Sequence, residues 1–138
     1  MNDRYLFKAK RVDNGEWEIG SLIALPTGEY EISNKCNNPP DCDPMWDKVV
    51  ITHKVGPFTI CQCTGLKDKN GKLIWENDIV KTQYGKAVVV WDKSEWRIKW
   101  IDDLIWRRDL HYWANDNSWR IEVIGNRFDN HKLLEREE

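Results

Sequence analysis

Across 138 residues, 21 lysines and arginines stand against 23 aspartates and glutamates, and the formal net charge of -2 argues against a dominant nucleic-acid or membrane-steering field. Nine tryptophans supply core bulk to a chain in which 32% of residues are charged, enough for one domain or two small β subdomains. No apolar run reaches the length of a membrane span, and residues 1–11 lack the apolar centre of a signal peptide, which predicts a cytosolic setting.

The chain opens as a β-hairpin. Residues 5–12 and 17–25 are strand-like runs flanking Asp13-Asn14-Gly15, a strong turn sequence. Pro26-Thr27-Gly28-Glu29 is a second turn, because Pro presets φ and Gly accepts the unusual conformation, so residues 30–32 return as a third strand of a meander. Residues 33–46 hold three prolines and little apolar material and read as a loop. Strands are predicted at 49–52 and 58–63, with Gly56-Pro57 between them.

Residues 64–81 read TGLKDKNGKLIWENDIVK. The polar run from Lys67 to Lys72 contains Asn70-Gly71, a pair suited to tight hairpin turns because both residues tolerate positive φ. The charged tip is expected to face solvent. Ile74, Asp78, Ile79 and Val80 lead into a β-rich run. This stretch resembles the hallmark of the YopX family, small proteins mostly encoded by phages and prophages, in which the segment reads close to TGLKDKNGKEIYEGDIVK. Weaker similarity extends to residues 5–17, to Glu122-Val123-Ile124-Gly125-Asn126 and to residues 130–134. Asn77 stands where Gly is usual and His131 where Pro is usual. Asn accepts a left-handed backbone better than other side-chain-bearing residues, and His loses only a preset φ. The resemblance implies a two-part β architecture with a small SH3-like barrel, and an oligomer, but no reaction.

Beyond the motif, residues 86–92 and 95–100 form a hairpin across Asp92-Lys93-Ser94, with Trp96, Ile98 and Trp100 on one face and Arg97 and Lys99 on the other. With turns at Tyr84-Gly85 and Lys93-Ser94, these strands suit a strongly bent barrel. Residues 102–117 lack a clean period and read as irregular or as a short helical turn. Residues 119–125 close the sheet, and Asn130 is a good N-cap for a short C-terminal helical turn. The expected fold is therefore mainly β, with an N-terminal β-meander subdomain over 1–63 and an SH3-like barrel over 64–138 packed as one unit.

No metal or cofactor is expected. Cys36, Cys42, Cys61 and Cys63 give C-x5-C and C-x-C spacings that match no common zinc site, although His53 would complete a ligand set. No H-E-x-x-H, P-loop, G-x-S-x-G or Rossmann fingerprint appears, so catalysis is not expected. Two binding readings follow, the first as the expectation and the second as its alternative. The first is a non-catalytic accessory protein acting through homo-oligomerisation and an unidentified protein partner, with Trp46, Trp106 and Trp113 in irregular segments as the contact candidates. The second is single-stranded nucleic-acid binding, in which tryptophans stack on bases while Arg97, Lys99, Arg107, Arg108 and Arg120 hold phosphates.

Overall fold

The computed structural model describes residues 5–35, 50–101, 107–114 and 120–135. The chain is mainly β and divides at Gln62/Cys63 into two compact units, each with its own buried cluster.

The first unit is built from β1 (Phe7–Lys10), β2 (Trp17–Ala24), β3 (Tyr30–Lys35) and β4 (Val50–Val55), an antiparallel meander in the order β4-β3-β2-β1. Gly15, at φ 74°, and Gly28, at φ 90°, make the two turns that the sequence marks. At Gly20 a Cβ would lie 2.2 Å from the carbonyl oxygen of Ser33, so the absence of a side chain there lets β3 come close. After β4, Pro57–Thr59 form a 3-10 turn instead of opening the predicted strand. Pro57 fits the first turn position, and the Thr59 amide and hydroxyl both donate to the carbonyl of Gly56. Cys61 and Gln62, the first residues of β5 (Cys61–Lys67), then pair with Lys8 and Phe7 of β1. A bridge between Arg11 and Val55, flanked by bonds from Val12 N–H to Lys54 O and Gly56 N–H to Lys10 O, joins the end of β1 to β4. The meander thereby curls into a closed roll around Ala9, Ile32 and Val55, with Phe7, Leu22, Tyr30 and Ile60 packed on them.

The second unit contains the rest of β5, β6 (Leu73–Trp75), β7 (Asp78–Thr82), β8 (Gly85–Asp92), β9 (Glu95–Trp100), α1 (Leu110–Trp113) and β10 (Glu122–Asn126). Its main sheet is antiparallel in the order β10-β7-β8-β9. Among the described pairings β10 and β9 are the outer strands, so the closure expected of a barrel in this half is not among them. Between β8 and β9 the register runs from Ala87 opposite Trp100 to Asp92 opposite Glu95. Lys93 (φ 53°) and Ser94 (φ 62°) form the two-residue turn, both in the left-handed region without a glycine.

Alternation along β9 is as the sequence indicates, with Trp96 half-buried at its turn end, and in β8 the register sorts an all-apolar run. Ala87 and Val89 of β8 and Ile98 and Trp100 of β9 are buried, whereas Lys99 is exposed. The core is completed from the segment that shows no period: Leu110 and Trp113 are fully buried on α1, and Ile121 lies just before β10. Edge-on ring contacts join Trp113 to Trp100 at 5.6 Å and to Tyr112 at 5.0 Å. His131–Leu134 form the expected short terminal helical turn. Asn130 does not cap it with its side chain. Its Oδ1 instead accepts the N–H of Asn126, 3.1 Å away, and fills the space where a Cβ on Gly125 would lie.

Candidate nucleic-acid interface

In the hallmark segment, polar side chains are turned toward the chain's own backbone. The hydroxyl of Thr64 donates to the carbonyl of Ile74 at 2.7 Å and accepts from the N–H of Leu66. Gly65, at φ 79°, sits where the pairing of β5 with β6 shifts register. Asp68 is only 6% exposed, which corrects the expectation of a wholly solvent-facing hairpin tip. Its Oδ1 accepts the N–H groups of Asn70 and Lys72, and its Oδ2 accepts the N–H of Val123, all at 2.9 Å. One carboxylate thus shapes the turn and pins the start of β10 to it. Asp78, 2% exposed, accepts the N–H of Trp75 at 2.8 Å. Asn77 takes the left-handed conformation (φ 70°) expected of it, and its N–H reaches the carbonyl of Val89. The segment is a clamp.

Uncommitted charge lies elsewhere, around the β8–β9 hairpin. The carbonyl of Arg108 accepts the N–H of Ile98 at 2.8 Å and Asp109 bridges Arg97, so residues 107–109 run along the outer edge of β9. This places Arg108 beside Arg97 and Lys99, which share a strand face, and all three line a groove of about 490 Å³ together with Lys93 and Trp91. Asp92 is the one acid among its described lining residues. Arg97 is held by Glu95 at 2.9 Å, whereas Lys93, Lys99 and Arg108 have no ion pair among the described residues. Trp91 is 55% exposed and braced edge-on by Trp96 at 5.0 Å.

Of the five cations expected to contact nucleic acid, Arg97, Lys99 and Arg108 meet at this groove. Arg107 and Arg120 meet instead over the ring of Tyr112, with their guanidinium carbons 4.0 and 4.4 Å from its centroid. Trp91, Lys93 and Tyr112 were not singled out from sequence. Placement of Trp91 and Lys93 at the end of a hairpin, where the core face runs out, is the signal that marks them.

Trp113 is 1% exposed and donates its Nε1–H to the carbonyl of Arg107 at 2.9 Å, so it is a core residue and not the partner contact expected of it. Trp46 and Trp106 lie outside the described residues, as do Cys36 and Cys42. Cys61 and Cys63 are buried, with the Cys61 Sγ donating to the carbonyl of Thr59 at 3.3 Å, and among the described residues no group of three His, Cys, Asp or Glu is placed to hold a metal. No helix among them is long and apolar enough to cross a membrane.

The model of the YopX protein family matches residues 6–135, nearly the whole chain. The chain is a YopX family member. No curated protein is similar enough to match it. In this YopX protein, Thr64, Gly65, Asp68 and Asp78, by which the family resemblance is read, organise turns and strand junctions, and Asn77, which stands where the family usually has Gly, keeps the left-handed backbone there.

Proposed function

We propose that this YopX protein acts by binding, without catalysis, and that the groove at the β8–β9 hairpin holds single-stranded nucleic acid. The observation that carries the reading is that Lys93, Lys99 and Arg108, which have no ion pair among the described residues, line one groove with the half-exposed Trp91. Cations of this kind neutralise phosphates, and a projecting indole offers a face on which any unpaired base can stack. Net charge near zero is compatible with this because the positive charge is local. A phage or prophage accessory role in the cytosol, where single strands arise during replication and transcription, belongs to the same proposal.

Fluorescence anisotropy with a labelled mixed-sequence single-stranded DNA tests it. At low salt the Lys99→Ala/Arg108→Ala variant should bind about tenfold or more weakly, since hydrogen bonds to charged groups are each worth about 1.5–3 kcal/mol. Trp91→Ala should lose about 1–3 kcal/mol of affinity. Wild-type affinity in both variants would remove the groove from consideration.

A second reading, self-association or a protein contact, draws on the first unit, where Phe58 is 91% exposed at the 3-10 turn. Light scattering on Phe58→Ser tests it. A smaller particle than wild type supports assembly through Phe58, and an unchanged mass rejects it.

A further inference from the structure

A second concavity of about 540 Å³ is lined by Lys69, Lys81 and Arg120 at the β7–β10 side of the same unit. Its construction depends on the clamp. Asp68 fixes the Val123 amide, the Lys69 N–H donates to the carbonyl of Ile121, and Glu122 sits directly opposite Lys81 in the register of β10 on β7. Lys69 is partly neutralised by Glu122 at 3.4 Å, but Lys81 and Arg120 have no ion pair among the described residues. Arg120 is already oriented by stacking on Tyr112, and its donors are unengaged by any described residue. The fork of Arg107, on the same ring, is occupied by both oxygens of Asp109 at 3.2 and 3.1 Å.

The two concavities are related through adjacent residues of the chain and one shared ring. Arg108 lines the first, its neighbour Arg107 stacks on Tyr112, and Arg120 carries the connection from that ring into the second. We infer that Arg120 and Lys81 form a second phosphate subsite, continuous with the first groove through the Arg107–Tyr112–Arg120 stack, so that one single strand runs from the β8–β9 hairpin to the β7–β10 edge. This rests on the single-strand reading of the first groove. It adds length and polarity to that site: the strand crosses the Tyr112 ring between two cationic grips, each able to hold backbone phosphates.

The experiment is an anisotropy series with single-stranded oligonucleotides from about 4 to about 16 nucleotides, the range of site sizes in small β folds that bind single strands. Wild type is compared with Arg120→Ala/Lys81→Ala, and poly-glutamate serves as a competing polyanion. Both substituted side chains are exposed, and unchanged thermal melting confirms that the variant is folded. For wild type, affinity is expected to rise with length until both grips are spanned. For the variant, the shortest oligonucleotides should bind as before, the gain with length should be lost, and the slope of log K against log salt should fall by about 1.4, that is about 0.7 for each of two phosphates. A variant that matches wild type at every length and salt concentration overturns the second subsite while leaving the first groove standing. If wild type itself binds no oligonucleotide, or is displaced equally well by poly-glutamate, the underlying single-strand reading fails and an acidic polypeptide takes its place.

Discussion

Residues 64–81 and residues 91–120 are both rich in polar side chains, and those that the structure describes are used in opposite ways. In the first stretch Thr64, Asp68, Asn77 and Asp78 satisfy backbone groups of the chain itself. In the second, Lys93, Lys99, Arg108 and Arg120 meet solvent without a carboxylate partner among the described residues. The easily recognised part of the sequence is therefore the part that the fold cannot lose, and the chemistry available to a ligand sits in the part that is harder to recognise. A buried carboxylate with three amide partners tolerates few replacements. An exposed arginine with no carboxylate partner among the described residues leaves its donors to a ligand.

The sharpest way to break this contrast is Asp68→Ala. It removes the acceptor of the Asn70, Lys72 and Val123 amides, and a loss of about 3 kcal/mol is expected in urea unfolding, given about 1.5–3 kcal/mol for a hydrogen bond to a charged group and the non-additivity of the three. Lys99→Ala/Arg108→Ala should leave that unfolding curve in place. A pair of curves that shift equally would mean that the cationic residues are structural after all.

Smaller in size is the effect of the β8–β9 turn. Lys93 and Ser94 both hold positive φ without the residues that favour it, so replacing them by Asn-Gly should stabilise the second unit by about 1 kcal/mol. Because Lys93 also lines the groove, affinity for a single strand should fall while stability rises. Gain of both would place Lys93 outside the binding surface.

The smallest effect is expected with pH, in the first unit. Hydrogen bonding to Arg11 holds the Asp13 carboxyl below its ordinary 3.8, and Lys54 holds Glu29 below its ordinary 4.5. Lowered carboxyl values add stability above the ordinary ones, and this is lost as the pH falls through the lowered values. The melting temperature should therefore decline slightly more steeply with acidification in wild type than in Arg11→Gln/Lys54→Gln. Identical slopes would show that the two surface pairs contribute nothing measurable.

Much of the fold is legible because its signals are local. Glycines at 15 and 28 supply the conformations their turns require, and alternation from Trp96 to Trp100 sorts core from surface one residue at a time. Asn77 is legible for the same reason, since left-handed backbone restricts residue type. The failures are non-local. Closure of the first unit rests on Arg11 meeting Val55, 44 positions apart, and no turn sequence announces it. Burial of Asp68 depends on Val123, 55 positions away, which is why a charged hairpin tip looks solvent-exposed in sequence. Trp113 reads as a free aromatic in an irregular segment because α1 is only four residues long, too short to show a period. The groove is half legible. Arg97 and Lys99 share a face by strand parity, but Arg108 joins them through a backbone bond from Ile98 that sequence does not reveal.

The most direct test of the central claim is a salt titration of wild-type affinity for a mixed-sequence single strand of about 4 nucleotides, short enough to engage the first groove alone. With Lys93, Lys99 and Arg108 each neutralising a phosphate, log K should fall linearly with log salt at a slope of about -2, from about 0.7 per contact on single strands. An affinity that does not change between low and moderate salt would contradict the account, because no phosphate would then be held by these cations.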